Sequence, residues 1–147
     1  LHLLSRRQRQ MCIRDRISEE EVAFVSEQES LEKGVSFIRD NSDIKILFVT
    51  LGNKGSIAYY KDEKIYCGGI HQEHVVDTTG AGDTFCGAVL SRILELGTDA
   101  LTEKDIREML LFANAAASIV VTRKGALCSM PEPEEIRAAS SLIDKVL

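Results

Sequence analysis

The chain has 147 residues, of which 44% are hydrophobic and 28% charged, the balance of a globular domain rather than of a disordered segment. Its net charge of -5 disfavours a nucleic-acid-binding protein, because that class usually carries a basic excess. No run of about 18 apolar residues occurs, so the sequence predicts no transmembrane helix and no membrane partner. The cysteines lack CxxC spacing, which argues against a zinc site or a disulfide scaffold and predicts a cytoplasmic protein.

The first sixteen residues differ in composition from the rest of the chain. They contain five arginines and one aspartate, and they follow neither a helical nor a strand period. They also lack the continuous apolar core of a signal peptide. We interpret residues 1–16 as a non-native or disordered leader, with a basic nucleic-acid-binding arm as the alternative. Without this segment, the net charge of -5 becomes -9.

The first half of the remaining chain alternates helical and extended patterns. Ser18 followed by three glutamates predicts a helix start, and that helix is expected to reach residue 27. A second helix is expected over 31–41. A glycine-containing turn over 51–56 separates a buried strand from a hairpin. The extended segments are expected at 44–50, 56–60, 64–67 and 74–76.

The second half is predicted to be mainly helical. A helix is expected over 83–96, closed by Gly97 at its C′ position. Thr102 followed by Asp105 predicts a capping box for a helix that ends near residue 121. A loop over 125–130 leads to a last amphipathic helix over 134–146. The alternation of strands and helices along the chain predicts an α/β fold with a largely parallel sheet.

The string DTTGAGDTFCGAVL, which begins at Asp77, carries the strongest chemical signal. Its glycines, Gly80 and Gly82, allow a tight turn whose backbone N–H groups point the same way. The apolar residues that follow predict a packed helix, and a helix N-terminus binds phosphate through its free N–H groups and its dipole. Asp83 lies in that first turn, where a carboxylate stays ionised and can accept a proton from a hydroxyl. The alternative is an ordinary turn with a favourable first-turn acid.

Other phosphate-binding and catalytic motifs do not occur in the sequence. A dinucleotide fingerprint would need a glycine three residues after Gly82, where Phe85 stands. There is no glycine–lysine pair followed by serine or threonine, as a Walker A loop requires, and neither HExxH nor GxSxG is present.

The string resembles the second signature of the PfkB (ribokinase-like) carbohydrate kinase family. The VTLGNKG turn that begins at Val49 is similar to the family's nucleotide-contacting turn, and the ANAAA helix with the VTRKGA loop is similar to its adenine side. Within that family, these strings are most similar to those of the fructokinases. The resemblance covers residues 17–147, and it implies the C-terminal part of a ribokinase-like three-layer α/β/α sandwich.

The resemblance also implies roles for individual residues. Asp83 would be the base that deprotonates the sugar hydroxyl, and the turn formed by Gly80, Ala81, Gly82 and Asp83 would be the anion hole for the transferred phosphoryl group. The predicted ATP contacts are Thr50, Gly52, Gly55 and Asn114. An ordinary strand-to-hairpin connection is the alternative for the turn at 50–55, and a polar residue on an exposed helix face is the alternative for Asn114.

The family's ions are expected at two places. A monovalent cation, with K⁺ as the candidate, would lie next to the anion hole. The matching positions are Asp77, Thr79, Val120, Arg123, Gly125 and Ser129. Mg²⁺ is organised in the family by an Asn-x-x-Glu motif, which corresponds here to the stretch from Ser18 to Glu21, with serine in place of asparagine. A capped acidic helix start is the alternative there.

The family's glycine-rich first signature is absent from the sequence, and a full member has roughly twice this length. We therefore expect residues 17–147 to be the C-terminal part of a kinase that phosphorylates a sugar with ATP, with a homodimer of the full-length protein as a further hypothesis. A sheet divided in this way should expose an apolar edge or face. Kinases for ribose, 2-keto-3-deoxygluconate or a nucleoside remain alternatives, as do a non-catalytic nucleotide-binding module and a Rossmann-type oxidoreductase.

Overall fold

Four strands and five α-helices form within residues 16–125 and 129–143, the part of the chain that the computed structural model describes. The strands are β1 (Arg16–Ser18), β2 (Ile46–Thr50), β3 (Gly55–Tyr60) and β4 (Glu63–Gly68). The helices are α1 (Glu19–Ser26), α2 (Leu31–Asp40), α3 (Ala81–Leu96), α4 (Glu103–Val120) and α5 (Pro133–Ile143). A 3-10 turn, Gly52–Lys54, connects β2 to β3.

The strands form one sheet in the order β1-β2-β3-β4. Strand β1 runs parallel to β2, with Ile17 opposite Val49, whereas β2–β3 and β3–β4 are antiparallel. The prediction of a largely parallel sheet is therefore wrong for the described residues. Short turns join β2 to β3 and β3 to β4, and a short turn reverses the chain direction. Helices α1 and α2 connect β1 to β2. Among the described strands, only this connection is long enough for parallel pairing.

Helices cover both faces of the sheet, so the expected three-layer α/β/α arrangement is confirmed. Successive side chains of a strand point to opposite faces. In β2, Ile46 and Phe48 pack with α3, α4 and α5, while Leu47 and Val49 pack with α1 and α2. Burying both faces explains why this strand is an almost continuous apolar run.

The predicted helices are present, and their capping signals are confirmed. Ser18 and Thr102 each form a capping box with the acid three residues later. Gly97 ends α3 with a φ of 76°. Helix α3 begins two residues earlier than expected because Gly80, with a φ of 82°, serves as its N-cap. The segment at 74–76 forms no strand, and the end of the last predicted helix, 144–146, lies outside the described residues.

The boundary of the predicted leader moves by one residue. Arg16, which was expected to belong to the leader, is the first residue of β1 and pairs with Phe48. The rest of the leader interpretation concerns residues 1–15, which lie outside the described part of the chain.

The described helices expose apolar side chains on α3. Leu90, Leu94 and Leu96 are 39%, 86% and 45% exposed, and they lie on a helix rather than on the sheet, for which the exposed apolar edge or face was expected. Within residues 16–125 and 129–143, no helix combines the length and hydropathy needed to cross a bilayer.

The core between the sheet and α4 should dominate stability. Leu110 on α4 is fully buried in this core, so Leu110→Ala should lower the free energy of unfolding by about 2–5 kcal/mol. Leu94→Ala, at an 86% exposed position, is the matched control and should change it by less than about 0.5 kcal/mol. Denaturant titration of both variants measures the difference. Equal effects would contradict this assignment of the core.

Candidate functional site

Two segments that are distant in sequence line one cavity of about 370 Å³. One is the turn after β2, and the other is the first turn of α3. All four predicted nucleotide-contacting residues line it, together with two residues of the predicted anion hole. These residues are Thr50, Gly52, Gly55, Asn114, Ala81 and Gly82. The fold therefore brings the two motifs to one place.

The first turn of α3 begins without a side-chain cap. Gly80 is the N-cap in the left-handed conformation, and it has no side chain to accept a hydrogen bond. The N–H of Ala81 donates to the carbonyl of Thr78 at 3.3 Å. The N–H groups of Gly82 and Asp83 belong to the part of a helix that has no intrahelical acceptor. Because the helix dipole adds to these donors, this end of α3 favours an anion.

Asp83 lies next to the cavity rather than in its wall. It is the third residue of α3, it is exposed, and it lines a neighbouring groove of about 580 Å³ between α3, α4 and α5. The adjacent Thr84 is 7% exposed, and its hydroxyl has no hydrogen-bond partner within the described residues. The start of α3 thus presents backbone amides on one side and a carboxylate on the other.

The two glycines of the turn after β2 serve different purposes. Gly52 has a φ of 61°, and a Cβ there would meet nothing within 4 Å, so its backbone is open to the cavity. Gly55 has a φ of 109°, and a Cβ there would lie 2.2 Å from the carbonyl oxygen of Cys67. Gly55 is therefore required by the close approach of β4, whereas Gly52 leaves room for a ligand beside the chain.

Asn114 is buried, with 8% of its surface exposed, so the alternative of an exposed polar helix residue is wrong. Its Oδ1 accepts from the hydroxyl of Ser56 at 3.0 Å. Its Nδ2 donates to the carbonyls of Cys67 at 3.3 Å and Gly68 at 3.2 Å. The amide therefore joins α4 to both strands of the hairpin. Asn114 lines the cavity and also fixes the position of the hairpin wall.

Arg16 lines the same cavity and was missed because it was assigned to the leader. Its Nη2 donates to the hydroxyl of Thr50 at 3.4 Å, and its Nη1 lies 3.6 Å from Oε2 of Glu21. Its place in the first strand follows from the structure, because a three-residue strand is too short to show a period in the sequence. Because Ile17 packs against α1 and α2, the preceding side chain must point to the face that carries α3.

The stretch predicted to organise Mg²⁺ forms a helix cap. The N–H of Glu21 donates to the hydroxyl of Ser18 at 3.2 Å, and the N–H of Ser18 donates to Oε2 of Glu21 at 2.8 Å. The hydrogen bond from the Ser18 backbone, aided by the charge of Arg16, lowers the pKa of Glu21. The capped acidic helix start is therefore present, and the Glu21 carboxylate is ionised and already hydrogen-bonded.

The residues predicted to surround the monovalent cation are partly brought together. Asp77 accepts from the N–H of Thr79 at 2.9 Å and from the N–H of Gly125 at 3.5 Å. The N–H groups of Val76 and Asp77 donate to the carbonyl of Val121 at 2.8 and 3.2 Å. These bonds join the segment before α3 to the end of α4.

Several of the predicted oxygen ligands accept hydrogen bonds from the protein. The carbonyl of Val120 accepts from the N–H of Arg123 at 3.0 Å, and that of Gly125 accepts from the Ser129 hydroxyl. The guanidinium of Arg123 donates to the Ser129 carbonyl at 3.4 Å and forms an ion pair with Glu135 at 2.6 Å. Within residues 16–125 and 129–143, no group of three or more His, Cys, Asp and Glu side chains is placed to hold a metal ion.

Removal of the Asn114 amide should destabilise the wall of the cavity. Asn114→Ala leaves the Ser56 hydroxyl and two carbonyls without their partner, so the free energy of unfolding should fall by about 2 kcal/mol. Asn41→Ala, at an exposed position after α2, is the control and should cost less than about 1 kcal/mol. Thermal denaturation measures both variants. A neutral Asn114→Ala would contradict the bridging role.

The Asp77 contacts should make stability sensitive to acid. The hydrogen bonds from Thr79, followed by that from Gly125, lower the pKa of Asp77. A carboxyl whose pKa is lower in the folded state stabilises the fold above its ordinary pKa of about 4, and this contribution is lost as the pH falls through the folded value. Asp77→Asn should therefore flatten the loss of stability at acid pH, measured as melting temperature against pH. Asp62→Asn, in the exposed hairpin turn, should retain the wild-type slope.

The chain is similar to curated fructokinases. It is 38% identical over 123 residues to fructokinase-1 of Zea mays and 37% identical over 123 residues to fructokinase-1 of Oryza sativa subsp. japonica. Each alignment covers 82% of this chain and 37% of the relative. The chain therefore spans little more than a third of the length of these relatives.

Solved structures of the same fold support this similarity. The fructokinase of Vibrio cholerae O395, in its form bound to fructose, ADP and calcium ion, matches with a TM-score of 0.74 and 32% identity, covering 84% of this chain and 39% of that one. The ribokinase of Arabidopsis thaliana complexed with ribose and ATP matches with a TM-score of 0.69 and 34% identity, over 86% and 40% of the two chains. The model of the pfkB family of carbohydrate kinases matches residues 16–133. The chain belongs to the pfkB family of carbohydrate kinases.

Proposed function

We propose that this chain carries the nucleotide-binding and catalytic part of a sugar kinase that transfers the terminal phosphoryl group of ATP to a hydroxyl of a fructose-like sugar. The observation that carries the proposal is the shared cavity, in which the open turn at Gly52 meets the uncapped start of α3 at Ala81 and Gly82. We assign residues 16–147 to this nucleotide-binding and catalytic part of the kinase.

The first turn of α3 supplies the electrostatic part of the proposed reaction. Phosphoryl transfer needs little covalent help from a protein, and catalysis rests on positioning and on donors aimed at developing charge. The N–H of Ala81, which was also predicted for this site, already donates to the carbonyl of Thr78 at 3.3 Å. The N–H groups of Gly82 and Asp83 are held by a helix whose apolar face, including Phe85, is buried against the sheet. These two groups would bind the transferred phosphoryl group without reorganising during the reaction.

Asp83 is the proposed general base. Its carboxylate is exposed at the start of α3, one residue beyond the glycine that lines the nucleotide cavity. A sugar hydroxyl placed beside it would lose its proton to the carboxylate as the oxygen attacks phosphorus. The nucleotide and the acceptor would then approach the start of α3 from different sides.

The ions of the family fit this chain to different degrees. Mg²⁺ supplies neutralisation of phosphate charge in such kinases. Glu21 is ionised beside the cavity, and it would act on the ion through water because its oxygen already accepts the Ser18 N–H. For a monovalent cation, Asp77 is the one carboxylate among the six predicted positions. The cation would lie between this carboxylate and the carbonyls of Val120, Gly125 and Ser129.

The sugar is proposed from the relatives, whose names include both fructokinases and ribokinases. Ribose, 2-keto-3-deoxygluconate and a nucleoside are the competing acceptors. A non-catalytic nucleotide-binding module is the second candidate function, since Asp83 lies outside the wall of the cavity that holds the predicted nucleotide contacts. A full-length kinase that forms ADP only when a sugar is present would exclude this module.

Neutralising the proposed base should abolish turnover and leave nucleotide binding largely intact. In the full-length kinase that contains this chain, Asp83→Asn should lower the rate of sugar-dependent ADP formation by about 100-fold or more, because proton removal from the hydroxyl is lost. Its affinity for ATP, measured by calorimetry, should stay close to that of the wild type.

Asp43→Asn is the matched control, because it removes the same charge from an exposed loop before β2. It should retain wild-type turnover with fructose. Near-normal turnover of Asp83→Asn would overturn the assignment of the base, and a panel that includes ribose would identify the preferred acceptor.

A further inference from the structure

The guanidinium of Arg16 is packed directly on the backbone at the start of α3. A Cβ built on Gly82 would lie 2.3 Å from Nη2 and 2.9 Å from Cζ of Arg16. A side chain at position 82 would displace the guanidinium from this contact, because it would occupy the same space. The guanidinium is therefore held within reach of the same first turn that carries the proposed anion-binding amides.

This contact places like charges next to each other. The N-terminus of a helix carries a partial positive charge, and an arginine is always protonated. Glu21, whose Oε2 lies 3.6 Å from Nη1, compensates part of the charge of Arg16. The same oxygen also accepts the N–H of Ser18, so it is shared between two donors. A guanidinium against a helix N-terminus is thus an arrangement that a bound anion would stabilise.

The donors of Arg16 are also incompletely used. Its side chain is 23% exposed, and its Nε is buried with no hydrogen-bond partner in the described part of the chain. Nη2 has a long bond of 3.4 Å to the Thr50 hydroxyl. Arginine presents its donors in a planar fork that matches the oxygens of a phosphate group. Both Arg16 and Thr50 line the cavity proposed for the nucleotide.

We propose that Arg16 is a phosphate-binding residue of this site, and that its guanidinium binds the terminal phosphate of ATP together with the first-turn amides of α3. The inference rests on the proposed function. A charged fork at this place would stabilise the negative charge on the transferred group more than amides alone.

Nucleotides that differ only in their phosphates separate this role from a structural one. By calorimetry on the chain, Arg16→Gln should weaken ATP binding by about tenfold or more and leave AMP binding within about twofold, because only ATP carries the terminal phosphate. Arg16→Lys keeps the charge but loses the fork, so its affinity for ATP should be intermediate. Melting temperatures of all variants should show that they are folded.

Arg107→Gln is the matched control, because it removes an exposed arginine that pairs with Glu103 on α4 and does not line the cavity. It should bind both nucleotides like the wild type. An equal loss of ATP and AMP affinity in Arg16→Gln, or no loss at all, would overturn the role of Arg16 while leaving the proposed function standing. Failure of the wild-type chain to bind either nucleotide would instead count against the proposed function, and against the inference that rests on it.

Discussion

The start of α3 at a left-handed glycine is the constraint on which the site depends. Three of the five described α-helices satisfy a first-turn N–H group with the side chain of their N-cap residue, as Ser18 does in α1 and Thr102 does in α4. Gly80 has no side chain and cannot do so. The N–H groups of Gly82 and Asp83 therefore need a partner from outside the helix. Since Phe85 and the next turn of α3 are buried against the sheet, these donors have a fixed position relative to the end of β2.

The other wall of the cavity is held by α4. Asn114 reaches the buried hydroxyl of Ser56 on β3 and two carbonyls of β4 through a single amide. Satisfied buried polar groups of this kind give rigidity, because any displacement leaves several of them unpaired. The segment before α3 is fixed to the same helix through the Val121 carbonyl. Both walls of the cavity are thus hydrogen-bonded to α4 or to its C-terminal end. This helix therefore couples the hairpin to the turn at Gly80.

Local signals in the sequence predicted most of the helices and the hairpin. Capping boxes, the glycine after the end of α3 and the turn of the hairpin depend on near neighbours, and the structure has them where they were expected. Strand pairing is not local. The antiparallel majority of the described sheet follows from how short turns place β2, β3 and β4, and the periodicity of single strands does not contain that information.

The site was predictable only in part, because its local motifs are visible in the sequence and its contacts between distant segments are not. The glycine turn at 80–82 and the turn after β2 were found as motifs, and the fold places them in one cavity. The roles of Arg16 and Asn114 come from contacts across the sheet. Strand β1 has three residues and is too short to show a period. Because Arg16 follows an arginine-rich segment, it was assigned to the leader. The burial of Asn114 required knowledge of what packs on α4.

The contact between Arg16 and Gly82 also has a consequence for substitutions at position 82. Any side chain at position 82 would occupy the space of the guanidinium. A side chain at position 82 would therefore move the guanidinium of Arg16 away from the start of α3, and the flexible end of an arginine can make this move at little cost to the fold. Substitution of Gly82 would thus act mainly on where the charge of position 16 lies, and the packing itself constrains the two positions only weakly.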